Sequence, residues 1–200
     1  MSTLSVTASG AAREAIDRHV PQLVAQRLHV LLGEAVQGEG ADVLWLAERG
    51  WQVVGLDLSA TAIGRLTRQA ERLGVASRVT GRVHDAGDGL PAGPFDLVTS
   101  FYVHGGHEPG SLDLMALLSD AAARVAPGGH LLTAVHAVNP PWHTHHARTY
   151  TAAELLEGLA EATAGWEVVV GEERQRRATG PDGQEGRRAD AVVCLRRPPA

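Results

Sequence analysis

The chain has 200 residues, 44% of them hydrophobic and 20% charged, enough to bury a substantial core in a single domain. Its formal charge of -5 and pI ≈ 6.0 give it no general attraction to nucleic acid or to an anionic membrane surface. All 18 basic residues other than histidine are arginine, so a lysine Schiff base and a P-loop lysine are excluded. The lone cysteine, Cys194, rules out an internal disulfide and reads as a small buried hydrophobe within Ala191-Val192-Val193-Cys194-Leu195. The amino terminus lacks the basic-then-apolar pattern of a secretory signal, and no apolar run reaches membrane-spanning length. A cytoplasmic protein is the expectation.

Residues 1–9 are small and polar, and a helical periodicity over 11–28 places Ala12, Ile16, Val20, Leu23 and Val24 near one face. Residues 1–27 therefore read as an amino-terminal helical segment ahead of a domain spanning 28–200. Leu28 to Leu32 is a candidate buried strand, followed by a glycine-bearing loop to Gly40 and a predicted helix over 41–49. Gln52 to Leu56 is a second predicted strand ending at Asp57, and a helix over 61–73 follows, capped by Ser59 and stopped by Gly74. Strands are predicted over 79–83 and 95–101, a helix over 112–125, and a strand over 130–135 after the turn Pro127-Gly128-Gly129. Thr151 and Glu154 have capping-box spacing for a helix over 151–162. Two last strands, 166–170 and 189–195, flank a polar arm containing Pro181-Asp182-Gly183. Strands alternating with helices imply βαβ units and a mostly parallel sheet, and the final pair reads as an antiparallel hairpin.

In a doubly wound sheet, ligands bind outside the carboxyl ends of the strands. Three segments stand at such ends here. The loop Glu34-Ala35-Val36-Gln37-Gly38-Glu39-Gly40 follows the first strand, and its glycines allow close backbone approach to a ligand. Asp57 ends the second strand, where a carboxylate can accept both hydroxyl hydrogens of a ribose. Asp85 follows the third strand, where a carboxylate can take the exocyclic amine of a base. Each has a plain counterpart: a simple strand-to-helix turn for the loop, and helix caps for the two aspartates.

The stretch from Ala41 to Ser59 resembles class I S-adenosylmethionine-dependent methyltransferases, and is especially similar to the small bacterial tellurite-resistance-type group. Phe95-Asp96-Leu97-Val98 and Val125-Ala126-Pro127-Gly128-Gly129 resemble the fourth- and fifth-strand signatures of that family. The resemblance implies an α/β fold: a doubly wound, mostly parallel, seven-stranded Rossmann-like sheet with a C-terminal antiparallel hairpin. It implies S-adenosylmethionine as cofactor, with Asp57 on the ribose hydroxyls, Leu58 on the adenine face, and Asp85 with Ala86 at the adenine edge. Glu34 would sit near the methionyl part, Gly38 and Gly40 would line its path, and Val36 and Phe101 complete the expected cofactor contacts. Val36 departs from the family pattern, which has the first glycine of the loop there. A β-branched side chain disfavours positive φ and adds bulk where the cofactor passes.

Histidines supply the acid–base candidates. His104 and His107 follow the fourth strand, His136 ends the fifth, and His143, His145 and His146 lie in the loop before the last helix. Imidazole can deprotonate a hydroxyl near neutral pH, and His104 is the first choice of base with His136 second. Trp142 and Tyr150 are expected to wall a small organic substrate. The His143-Thr144-His145-His146 run offers metal ligands, but no cysteine or fixed zinc spacing accompanies it, so a solvated loop is the reading and no metal is assigned. Arg174, Arg176, Arg177, Arg187 and Arg188 are interleaved with acidic residues and read as a solvated charged face.

The function expected is methyl transfer to a small-molecule acceptor, without nucleic-acid or membrane partners; a homodimer is one assembly open to the chain. A second reading keeps the fold without methyl transfer, as a cyclase or isomerase of a biosynthetic pathway that could use a metal, and rests on Val36 and the histidine-rich mouth. A third is a non-catalytic binding protein on the same scaffold. Fold alone does not choose among them.

Overall fold

Short apolar runs alternating with amphipathic segments produce a sheet covered by helices on both faces. The computed structural model describes residues 13, 14, 16–18, 28–33, 40–103, 112–143 and 148–200. In chain order the elements are β1 (Leu28–Gly33), α1 (Ala41–Glu48), β2 (Gln52–Asp57), α2 (Ala60–Arg72), β3 (Val79–Val83), β4 (Phe95–Phe101), α3 (Leu114–Ala123), β5 (Val125–Val138), α4 (Ala152–Leu159), β6 (Glu167–Thr179) and β7 (Glu185–Arg196). Residues 13, 14 and 16–18 are also helical.

The strands form one mixed sheet in the order β3-β2-β1-β4-β5-β7-β6. The first five strands pair in parallel, and β7 joins β5 and β6 antiparallel. After β1 the chain runs out through β2 and β3, then returns to β4 on the other side of β1. That reversal opens a crevice at the carboxyl ends of β1 and β4, where an α/β sheet binds its ligand.

Strand residues alternate between two cores. On one face Val98, Leu131, Val135, Ala191, Val193 and Leu195 pack with Leu114, Leu117, Leu118 and Ala121 of α3 and with Leu155 and Leu159 of α4. On the other, Val53, Leu97, Leu132, Ala134, Val192 and Cys194 pack with α1, with Leu66 and Ala70 of α2, and with Ile16. Cys194 is fully buried, and burial pushes its thiol pKa up to about 12, so it is chemically quiet. Leu118 is fully buried among these contacts, and Leu118→Ala is expected to cost about 2–5 kcal/mol in urea or guanidinium unfolding.

Capping sets the helix limits. Ser59 caps α2 by accepting the Ala62 N–H at 3.2 Å, and the Thr151–Glu154 capping box forms at α4. α3 starts at Leu114 rather than Leu112 because Asp113 accepts the N–H groups of Met115 and Ala116. α4 ends at Leu159, whose carbonyl accepts the Thr163 hydroxyl at 2.8 Å.

The closing hairpin differs most from expectation. β6 has 13 residues and β7 has 12, and they pair from Glu167↔Arg196 out to Thr179↔Glu185. β5 stops pairing with β7 at Val138↔Ala189, so residues 176–188 project past its carboxyl end as a two-stranded arm. The Pro181-Asp182-Gly183 turn closes it, with the Gly180 N–H donating to the Gln184 carbonyl at 2.7 Å and Gly183 at φ 79. No helix among the described residues is long and apolar enough to cross a membrane.

Candidate active site

Two separate groups of side chains stand at the carboxyl edge of the sheet. The first follows β2 and β3. Asp57 ends β2, and its Oδ1 accepts the Ser59 N–H at 2.7 Å. Asp85 begins a short 3-10 turn after β3, and its Oδ1 accepts the Gly87 N–H at 2.8 Å. In both, the backbone fixes one oxygen and leaves Oδ2 without a partner among the described residues. Partial burial holds the Asp57 carboxyl above its ordinary value, against the opposing hydrogen bond from Ser59. His84 holds this loop through Nε2 and the Gly89 carbonyl at 2.6 Å. Leu58 is 69% exposed beside Asp57, a large apolar side chain with its surface open. Ala86 is half-buried against the first core, whereas Phe101 is buried in the second core beneath the edge.

Gly40 stands at the entry to α1 with φ 73, and a Cβ there would sit 2.7 Å from Leu66 Cδ1, so both conformation and space require glycine. Glu34, Val36 and Gly38 lie outside the described residues, as do His104, His107, His145 and His146.

The second group lies where β4, β5 and β7 adjoin, on the face of Leu132 and Ala134. His136 and Asp190 are register partners of β5 and β7, and His136 Nδ1 lies 2.7 Å from Asp190 Oδ1. Arg176 donates from Nε to Asp190 Oδ2 at 2.8 Å, which fills the carboxylate from the other side. Asp190 is 3% exposed. Burial works against its charge, yet the hydrogen bonds from His136 and Arg176 outweigh it and leave the carboxyl below its ordinary value. Asp190 is therefore an ionised acceptor, which makes the Nδ1 of His136 the donor in this pair.

Tyr102 completes this group from the end of β4. It has φ 55, a left-handed conformation rare for a bulky residue and found where a site holds strain. Its ring centroid is 4.8 Å from that of His136. Its buried hydroxyl lies near enough to Asp190 to feel the carboxylate without well-formed hydrogen-bond geometry; burial first, and this charge second, push its pKa up. His143 presents its edge to His136, with 6.1 Å between ring centroids, and its Nδ1 is 3.2 Å from an Arg188 terminal nitrogen. Trp142 seats its indole on Gly180 and Gly186 of the arm, and a Cβ at Gly186 would collide with it. Gly186→Ala is expected to lift Trp142 off the arm, read as a red shift of its fluorescence. Tyr150 is buried with Arg148 stacked on its ring, so the wall predicted from Trp142 and Tyr150 has only Trp142 open to the mouth.

The arginine-rich arm is not a uniformly solvated face. Arg174, Arg176 and Arg188 lie on its half-buried side, Arg177 and Arg187 on its exposed side. Among the described residues no cluster of three metal-ligating side chains occurs. A cavity of about 230 Å³ bounded by Gly165, Glu167, Arg196 and Arg197 lies at the opposite edge, away from both groups. Asp190 and Tyr102 were not singled out from sequence, and Arg176 and Arg188 were read as part of a solvated face; the signal was a single carboxylate opening the apolar run of β7.

Asp190 also predicts an acid response. Its folded pKa is depressed, so below the ordinary carboxyl value of 3.8 the unfolded chain binds more protons, and stability falls with falling pH. Asp190→Asn is expected to flatten that part of the stability–pH curve, measured by denaturant unfolding between pH 2.5 and 5.

Residues 34–129 match the family model described as "Methyltransferase domain". Among curated proteins, the chain is 34% identical over 96 residues to "Probable thiol methyltransferase 2" of Arabidopsis thaliana, covering 48% of this chain and 42% of that protein. It is 40% identical over 78 residues to the "tRNA 5-carboxymethoxyuridine methyltransferase" of Escherichia coli, covering 36% of this chain and 29% of that protein. The chain thus spans less than half the length of these relatives. Among solved structures, TehB from Haemophilus influenzae superposes with a TM-score of 0.71 at 16% identity, over 98% of this chain and 63% of that one. The [4+2]-cyclase SpnF superposes with a TM-score of 0.69 at 16% identity, over 100% of this chain and 85% of that one. At these identities the structures establish a shared fold.

Proposed function

We propose that the chain is a class I S-adenosylmethionine-dependent methyltransferase that transfers a methyl group to a small-molecule acceptor, with His136 as the general base. The observation that carries this reading is the hydrogen-bonded series His136–Asp190–Arg176, on the same carboxyl edge of the sheet as Asp57 and Asp85, with β1 and β4 between them.

The residues fit the cofactor. Asp57 and Asp85 each keep one backbone-anchored oxygen and one oxygen for a ligand, and the open Leu58 surface between them suits an adenine face. In this reading Asp57 takes the ribose hydroxyls, Asp85 and Ala86 meet the adenine edge, and Glu34 with Gly38 and Gly40 lines the path of the methionyl part. When bound, the cofactor supplies an electrophilic methyl group on sulfur. The protein then has to align the acceptor, exclude water and remove one proton. Asp190 holds the His136 ring in the tautomer whose Nε2 accepts that proton, and steadies the imidazolium that results. Arg176 keeps Asp190 ionised and in place. His104 is a second candidate base.

A small-molecule acceptor suits the acidic chain and an arm whose half-buried arginines point into the site rather than forming an open basic surface. The test is S-adenosylhomocysteine production dependent on both acceptor and His136. The rival reading, a non-methylating cyclase or isomerase, rests on Val36 in the cofactor loop; it requires substrate turnover with no S-adenosylhomocysteine formed.

A further inference from the structure

Arg188 is a cation without a carboxylate of its own among the described residues. It faces Arg176 directly across the β6–β7 pair, so two like charges share the half-buried side of the arm. Among the described residues, the anion that Arg188 feels is Asp190, which already accepts from Arg176 on one oxygen and His136 on the other. What Arg188 donates to is the Nδ1 of His143, a ring nitrogen that brings no negative charge when it accepts. Its Nε is buried with no hydrogen-bond partner among the described residues. Burial first, and the charge of Arg176 second, disfavour its protonated form.

We infer that the half-buried face of the arm is an anion subsite, in which Arg188 receives the carboxylate or phosphate group carried by the methyl acceptor. This rests on the small-molecule reading above and names the acceptor class. A guanidinium with an unused Nε–H offers the planar fork that binds a carboxylate or phosphate through two parallel hydrogen bonds. An arriving anion would satisfy the buried donor, neutralise the excess charge opposite Arg176 and replace lost hydration. Placement suits this role. Arg188 is two residues from Asp190 along β7, on the same face, and His143 connects it to the His136 ring. Trp142, seated on Gly180 and Gly186, holds the arm at the mouth and presents an apolar surface beside the cation. The acceptor is thus gripped at its anionic end on the arm, with its nucleophile directed to His136.

The test uses the full chain saturated with S-adenosylhomocysteine, titrated calorimetrically with benzoate and phenyl phosphate, with their neutral counterparts benzamide and benzyl alcohol, and with inorganic phosphate. We expect the aryl anions to bind at least tenfold more tightly than the neutral compounds. Arg188→Gln should remove that preference while S-adenosylhomocysteine affinity stays unchanged, which also shows the variant folded. Arg188→Lys should keep part of it, and Arg177→Gln, on the exposed face, all of it. Equal affinity for anionic and neutral compounds, no binding by any aryl anion, or an unaltered preference in Arg188→Gln overturns the inference. So does inorganic phosphate binding as tightly as the aryl anions, because the site would then serve a free ion. Failure to bind S-adenosylhomocysteine overturns the cofactor reading together with this one, whereas its binding without aryl-anion preference overturns this one alone.

Discussion

His136→Gln is expected to lower kcat by about 10²–10⁴-fold, the range supplied by a positioned general base, while leaving affinity for S-adenosylhomocysteine unchanged. Glutamine keeps a polar side chain able to meet Asp190, so the buried carboxylate retains a hydrogen-bond partner and the core under β5 and β7 stays packed. What it lacks is a nitrogen that can take a proton. Asp190→Asn separates positioning from proton transfer. An amide there can accept from His136 Nδ1 but brings no charge to steady the imidazolium, and it weakens the tie to Arg176. A loss of about 10–100-fold in kcat with KM little changed is expected, the size seen when an outer partner of a working histidine is removed. A purely structural role for Asp190 would instead lower stability and leave the turnover of the folded fraction intact. The measurement is the initial rate of S-adenosylhomocysteine formation, paired with calorimetric affinity for the same three proteins.

Asp57→Ala is expected to weaken cofactor binding by about 100-fold, near 3 kcal/mol, as two hydrogen bonds to a charged acceptor are lost. The backbone should tolerate the change. Asp57 contributes one local bond to the Ser59 N–H, and Ser59 caps α2 independently through Ala62. The variant should therefore fold with wild-type unfolding cooperativity yet show little thermal stabilisation by S-adenosylhomocysteine, because ligand stabilisation scales with the logarithm of occupancy. An unchanged affinity would remove Asp57 from the cofactor site and, with it, the functional reading of the carboxyl edge near β2.

The strand-end positions of Asp57 and Asp85 were legible because their signals are local. Asp57 ends β2 and Asp85 stands two residues past β3, and a strand end is where a ligand meets a parallel sheet. Ser59 and the Thr151–Glu154 pair were readable as caps because capping chemistry spans only three or four residues. The pairing of His136 with Asp190 was not, since it joins residues far apart in sequence. His136 and Asp190 are 54 positions apart and meet only through the antiparallel register of β5 and β7.

The arm was missed for a related reason. Its strands lie beyond the sheet core and carry arginines where a buried strand would carry valines, so hydrophobicity marked only residues near 166–170 and 189–195 as strand. The alternation was nonetheless present. Arg174, Arg176 and Ala178 on β6, with Gly186 and Arg188 on β7, form the half-buried face, while Gln175, Arg177, Thr179 and Arg187 are exposed. A period of two in polar residues is a strand signal once charged side chains are allowed to cover a neighbour. Tyr102 gave no advance sign, because a left-handed backbone at a tyrosine follows from the strand exit it must make between β4 and the edge.

The most direct test of methyl transfer to a small molecule is to incubate the chain with S-adenosylmethionine and a cell extract divided into a fraction below about 1 kDa and a tRNA fraction, and to quantify S-adenosylhomocysteine. The account predicts its accumulation with the small-molecule fraction, abolished by His136→Gln and absent with tRNA alone. No S-adenosylhomocysteine with the small-molecule fraction, or formation only with tRNA, would contradict it.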